Sequence, residues 1–212
     1  MTRLILVRHG ETEWNRVERF RGRADVQLNE RGLLQAEATS FGVNSRTAAG
    51  AVYSSPLSRA MRTAQAIAGR QSLRVKAHPG LVDIDYGAWQ GLSSEEVRER
   101  WPEQLAAWYE TPHLAEIPGG ESLEDVRARC ASAVREIAER HSGESVVLVA
   151  HSVVNRIILL CALGLDNSRF WHLRLDTCAL NEIEANGEDF TVVSMNETCH
   201  LRTSSGPNDD IA

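Results

Sequence analysis

The chain has 212 residues, enough for one substantial core with at most a subdomain, and its 42% hydrophobic and 25% charged residues are those of a soluble globular protein. A net charge of −6 excludes broad, non-specific nucleic-acid binding, which needs a basic surface, while leaving room for a local basic pocket. The first apolar run, residues 4–7, is too short for a signal-peptide core, and no later run approaches a membrane span. Cys130, Cys161, Cys178 and Cys199 are scattered without a C-x-x-C, so buried reduced thiols in a cytoplasmic protein are expected, not disulfides or zinc.

In chain order, a strand is expected at 4–7, then a helix capped by Asn29 and running to about residue 41. A second strand covers 51–53, and Pro56 suits the first turn of a helix through residue 67. A third strand is expected at 73–76. Residues 91–118 fit the alternation less well: Trp101, Trp108 and Tyr109 gather around Pro102, which reads as a small helical cap over the sheet edge. From 122 to 141, Leu123, Val126, Cys130, Val134 and Ile137 recur every three or four residues, an amphipathic helix with one buried face. It feeds "SVVLVA", a continuous apolar run typical of a strand covered on both sides, and two more strands are expected at 180–183 and 190–195. Strands alternating with helices imply an α/β fold with a mainly parallel sheet flanked by helices, whose ligands bind at the carboxyl ends of the strands. Residues 1–201 then make the domain, with 202–212 as a flexible tail.

The strand ends carry unusual residues. "LILVRHGETEWN" delivers Arg8 and His9 into a glycine turn, and "VVLVAHS" delivers His151 to the same edge. A third strand leads through "VYSSPLSRAMRTA" into a helix bearing Arg59, which adds charge to the positive end of the helix. Any one of these has an ordinary alternative: a turn histidine, a hydrogen-bonded core histidine, an exposed helix arginine. Together they describe an anion site. In "LVDIDYGAWQG", Asp83 and Asp85 stand two apart, so on an extended segment they share a face and can pair; an N-cap or turn role is as good a reading from sequence. Two imidazoles, two arginines and a carboxylate suit phosphoryl transfer, which needs a nucleophile, neutralised oxygens and a proton for the leaving alkoxide. The chain lacks H-E-x-x-H, a Walker P-loop, G-x-G-x-x-G and a serine nucleophile elbow. Arg16, Arg19, Arg21 and Arg23 crowd the segment after the catalytic turn; most such runs are solvated, and one arginine turned inward would meet an acidic substrate.

These blocks resemble the histidine phosphatase superfamily, the phosphoglycerate-mutase-like proteins. "LVRHGETEWN", "LNERGLLQA", "VYSSPLSRAMRTA", "DYGAWQG", "GGES" and "VAHS" follow in family order, covering residues 3 to about 200. The resemblance implies a three-layer α/β sandwich with a small helical cap and no metal or other cofactor. It implies His9 as the phosphorylated nucleophile, Arg8, Arg59 and His151 as the phosphate cluster, and Asn15 and the Gly22 turn as pocket lining. Asp83 stands where the family carries its acid/base carboxylate, usually Glu, with Asp85 as the rival. Ser152 replaces a common Gly. Only about thirty residues separate the "YG" and "GES" blocks, less lid than the mutases carry, so hydrolysis leads. "TPHLAEIPGGES" and "NETCHL" resemble the metal-independent phosphoserine phosphatase branch, with Tyr86, in place of a histidine, beside His113 and His200 as specificity candidates. The expected partner is a small acidic phosphorylated metabolite, with L-phosphoserine leading and homodimerisation left open. A broad-specificity phosphomonoesterase, a phosphoglycerate mutase and an inactive scaffolding member are the alternatives.

Overall fold

A strand covered on both faces has to be apolar throughout, and β1 (Thr2–Arg8) and β4 (Ser145–Ala150) are nearly so. The computed structural model describes residues 1–187 and 189–202. Within them β1 and β4 lie side by side and parallel, Arg8 opposite Ala150, at the centre of a six-stranded sheet. β2 (Ala51–Ser54) and β3 (Val75–Ala77) extend it in parallel on one side. β5 (Leu180–Asn186) and β6 (Asp189–Glu197) extend it antiparallel on the other, giving the order β3-β2-β4-β1-β5-β6. All six expected strands are present and the sheet is mainly parallel.

After β1 comes one short helix, α1 (Glu13–Arg16), and the longer helices that follow cover both faces. Alternate residues of β1 point to opposite sides, as the period of two requires. Ile5 and Val7 pack with Val43 of α2 (Glu30–Asn44) and with Ala60, Ala64 and Ile67 of α3 (Ser58–Arg70). Leu4 and Leu6 pack with α6 (Leu123–Arg140) and α7 (Ser152–Ala162). The α6 stripe expected from sequence, Leu123, Val126, Cys130, Val134 and Ile137, is buried in full. Ser122 caps that helix through a reciprocal bond with Asp125, and Asn29 caps α2 by accepting from the Gly32 N–H. Residues 91–118 hold α4 (Ser94–Arg100), α5 (Pro102–Glu110) and one 3₁₀ turn at Pro112–Leu114. Trp108 pins this excursion down, with its ring 5.7 Å from Tyr86 and 5.5 Å from Phe170.

Three expectations need correction. Pro56 lies ahead of α3 instead of in its first turn. The Ser55 N–H still donates to Val149, and Ser55 Oγ accepts from Leu57, so the chain turns through 55–57 before the helix begins. α2 runs on to Asn44, beyond residue 41. The thiols are free but not all buried, Cys161 being half-buried and Cys199 exposed. The tail, apart from Arg202, lies outside the described residues. Among those described, no helix is long and apolar enough to cross a membrane.

Candidate active site

β1 and β4 end level with one another, and the His9 N–H prolongs their pairing by donating to the Ala150 carbonyl. The two histidines that follow therefore emerge side by side, with ring centroids 5.1 Å apart. Both are buried. The turn after His9 presses against the start of α2 so closely that a Cβ on Gly10 would lie 2.5 Å from the Gly32 carbonyl oxygen. That contact explains the glycines of both "RHG" and "NERG". It also aims the Gly10 carbonyl at His9 Nδ1, 2.7 Å away. A carbonyl oxygen only accepts, so Nδ1 carries the proton and the neutral ring keeps its lone pair on Nε2.

Arg59 reaches this lone pair from the second residue of α3, its Nε 3.3 Å from His9 Nε2. The guanidinium is fully buried and clamped by the carbonyls of Gly22 (2.7 Å) and Ala24 (2.8 Å). Gly22 holds φ +49°, and a side chain there would strike the Ile84 carbonyl and the Tyr86 ring. Arg59 also donates to Asp83 Oδ2 at 3.0 Å, and the same oxygen stands 3.5 Å from His151 Nδ1, which makes no hydrogen bond. His151 Nε2 is held at 2.7 Å by Ser55 Oγ.

Asp83 and Asp85 do not form a pair. Asp83 turns inward, its other oxygen accepting from its neighbour Ile84. Asp85 turns outward, accepting from the Gly87 N–H at 2.8 Å and pairing with Arg23. A local Asx-type turn overrides the shared face that an extended segment would give. Arg129 of α6 fastens this stretch from behind, donating to the carbonyls of Gly80, Val82 and Asp83 and pairing with Glu121.

Charge in the site is unbalanced. Burial first, then the Arg59 charge, holds both His9 and His151 well below the ordinary imidazole range, so each is neutral. Burial raises Asp83, although Arg59 and Arg21 pull it down. Arg8 is pressed down by burial and by Arg21 and Arg156. Among the described residues, its side-chain hydrogen bond goes to the Leu175 carbonyl and its Nε has no partner. Of the arginine run, Arg16 pairs with Glu13 and Arg19 with Glu96. Arg23 pairs with Asp85 and Glu121. Arg21 alone of the four turns in, bound to the Trp14 and Arg19 carbonyls, with no carboxylate partner among the described residues. Such a cluster is built to receive an anion.

The remaining candidates divide. Asn15 shares a capping box with Thr12 after the catalytic turn, which commits its carboxamide oxygen. Ser152 is the first residue of α7, half-buried. Tyr86 packs under the cap against Phe20 and Trp108, its hydroxyl pushed up by burial. His113 is exposed on its 3₁₀ turn, where Asp166 is its charged neighbour, and no contact joins it to the cluster. His200 packs on α2, bonded to Thr39 Oγ1 and the Cys178 carbonyl, and lines a shallow depression with Ala38 and Phe41. Cys178 N–H in turn donates to the Arg8 carbonyl, so His200 stands behind the site and not in it. Sequence reading passed over Arg156, Ser55 and Arg129. The signal for Arg156 was a single cation inside the apolar run of α7. Among the described residues, no three His, Cys, Asp or Glu side chains converge to ligate a metal ion.

The model of the histidine phosphatase superfamily (branch 1) matches residues 4–198. Phosphoserine phosphatase 1 of Hydrogenobacter thermophilus is 40% identical over 201 residues, 95% of either chain. A metal-independent phosphoserine phosphatase of Arabidopsis thaliana is 34% identical over 203 residues, 95% of this chain and 84% of the relative. Among solved structures, a mutant phosphoserine phosphatase from Entamoeba histolytica in complex with phosphoserine superposes with a TM-score of 0.86 at 26% identity, covering 95% of this chain and all of that one. With its fold, its paired strand-end histidines and nearly its whole length thus accounted for, the chain belongs to branch 1 of the histidine phosphatase superfamily.

Proposed function

We propose that the protein is a metal-independent phosphatase that hydrolyses L-phosphoserine through a phosphohistidine at His9. The observation that carries this is the tautomer of His9: the Gly10 carbonyl holds the proton on Nδ1, so a buried Nε2 lone pair faces the cationic centre. The substrate phosphate sits among Arg8, Arg21, Arg59 and His151. Its negative charge converts neutral His151 to a double donor, which Ser55 and the phosphoryl oxygens accept. Nε2 attacks phosphorus as the bond to the serine oxygen breaks, and Asp83, whose protonated form burial favours, gives that oxygen its proton. The free Asp83 carboxylate then takes a proton from water, whose oxygen attacks phosphorus. The N–P bond breaks, inorganic phosphate leaves and His9 is neutral again. Asp83 is the acid and base instead of Asp85 because only Asp83 shares partners with the imidazoles. Asn15 and the Gly22 turn line the phosphate side, with Ser152 presenting its backbone N–H, and Tyr86 offers a neutral hydrogen bond beneath the cap.

The substrate reading draws on the phosphoserine phosphatases at 40% and 34% identity. Four free cysteines suit a cytoplasmic setting. The test is turnover in EDTA. Wild-type protein should favour L-phosphoserine over phosphoethanolamine, which lacks the carboxylate, by at least tenfold in kcat/KM. Equal values would leave a phosphatase of broad specificity, and turnover of 3-phosphoglycerate to its isomer instead of phosphate would make it a mutase.

A further inference from the structure

Arg156 has no role in the chemistry above, yet it is built into the same wall. It projects from α7, five residues after His151, and donates from Nε to the Leu173 carbonyl at 2.8 Å. Its guanidinium lies 5.0 Å from the Phe170 ring centre and 4.7 Å from that of Trp171. No carboxylate among the described residues pairs with it, and both terminal nitrogens are left without a protein acceptor. Arg8 is held in the same manner two residues along, by the Leu175 carbonyl. In a locally extended segment, carbonyls two residues apart point the same way and stand about 7 Å apart. Leu173 has extended backbone, φ −107° and ψ 120°. Arg156 lies close enough for its charge to press on Arg8, so the segment holds two guanidinium groups near one another, of which only Arg8 acts on His9.

We infer that Arg156 is the specificity-determining residue of this enzyme, binding the substrate's carboxylate through its two free terminal nitrogens while Arg8 holds the phosphate. The assignment rests on the phosphoserine reading. In phosphoserine, four bonds of about 1.5 Å separate phosphorus from the carboxyl carbon, so one molecule spans the two cations with each anion in hydrogen-bond contact. The Phe170–Trp171 shelf fixes the plane of the guanidinium and shields it, which favours bidentate capture of a planar carboxylate. Arg21 is the other inward cation, but its Nη1 is taken up by two carbonyls, its Nε is sealed from solvent, and the reading above already gives it to the phosphate. The predicted ligand class is a phosphomonoester with a carboxylate two carbons from the ester oxygen.

The experiment compares Arg156→Gln, Arg156→Lys and Arg21→Gln with wild type on L-phosphoserine, phosphoethanolamine and p-nitrophenyl phosphate, with EDTA present. In Arg156→Gln, kcat/KM for phosphoserine should fall roughly 30- to 100-fold, mostly through KM, while the two carboxylate-free substrates stay within about threefold. Arg156→Lys should recover part of the loss. Retained turnover of p-nitrophenyl phosphate shows that the variant is folded. If Arg156 only clamps the 170–173 segment, all three substrates fall together and the assignment is overturned. A preference kept in Arg156→Gln but lost in Arg21→Gln moves the carboxylate to Arg21. A wild type without any preference removes the phosphoserine reading itself, and the assignment with it.

Discussion

The two ends of the candidate site are made differently. At the phosphate end, the two imidazoles and their cations hang from the edge of the sheet or from a helix starting there, with Arg21 and Asp83 brought in by loops. His9 follows β1 and is tied to the Gly10 carbonyl, His151 follows β4 and is tied to Ser55 Oγ just beyond β2, and Arg59 opens α3 after β2, clamped by the Gly22 and Ala24 carbonyls. At the leaving-group end, Tyr86, Trp108, Arg156 and the Phe170–Trp171 pair come from four separate stretches of chain and meet through ring contacts. The first end is fixed by the hydrogen-bond ladder of the sheet. The second depends on packing between loops and short helices, so it can vary while the chemistry stays fixed.

The sharpest way to break this division is at His9. His9→Ala should lower kcat by at least about 10⁴-fold on every substrate, because without the nucleophile only binding and charge stabilisation remain. Steady-state rates on phosphoserine and p-nitrophenyl phosphate measure it, and a loss under tenfold would mean that His9 is not the nucleophile. Asp83→Asn comes next. It should cost roughly 10²- to 10³-fold on phosphoserine, whose alkoxide needs a proton, and much less in the phosphorylation step with p-nitrophenyl phosphate, whose leaving group does not. Equal burst rates for the two substrates in that variant would remove the acid role.

Much of the phosphate end was legible in the sequence. Arg8, His9 and His151 close apolar runs, and a parallel sheet places such residues at one edge. Arg59 was legible only in company, since an arginine at the start of a helix is ordinarily exposed and this one is fully buried. Asp83 and Asp85 were indistinguishable because the choice was made by the Gly87 turn and by Arg23, neither readable from a spacing of two. His200 looked like a site residue because it belongs to a recognisable block, yet its ring faces Thr39 on α2. Arg156 went unseen because nothing local distinguishes a cation that fills a cleft from one that snorkels to solvent. Contacts between distant loops leave no periodicity to read.

A smaller effect separates the ends by pH. Both buried imidazoles have folded pKa values below their unfolded value of about 6.5, so the unfolded chain takes up protons first as pH falls. Their contribution to stability is present above about pH 6.5 and is lost as pH drops below it, at up to about 1.4 kcal/mol per pH unit for each ring. Asp83, raised in the fold, acts with the opposite sign and in the window above its ordinary value, where its ionisation costs stability. Urea unfolding between pH 7 and 5 should therefore show falling stability, with a shallower slope in His151→Asn. An unchanged slope would mean that His151 is protonated in the free protein.

The smallest effect belongs to His113→Ala, which should leave kcat/KM for phosphoserine within about twofold, since His113 is exposed and faces Asp166. A tenfold loss would extend the leaving-group end onto the cap's outer turn.

The covalent step is tested most directly in Asp83→Asn given p-nitrophenyl phosphate. This leaving group departs without an acid, while the water that must follow lacks its base, so the phosphoenzyme accumulates. Rapid quenching in alkali, digestion and mass spectrometry should find one phosphate per chain on the peptide containing His9, stable in base and lost in acid, and none in His9→Ala. A burst of one equivalent of p-nitrophenol with the phosphate on another residue, or with no phosphate on the protein, would contradict the account.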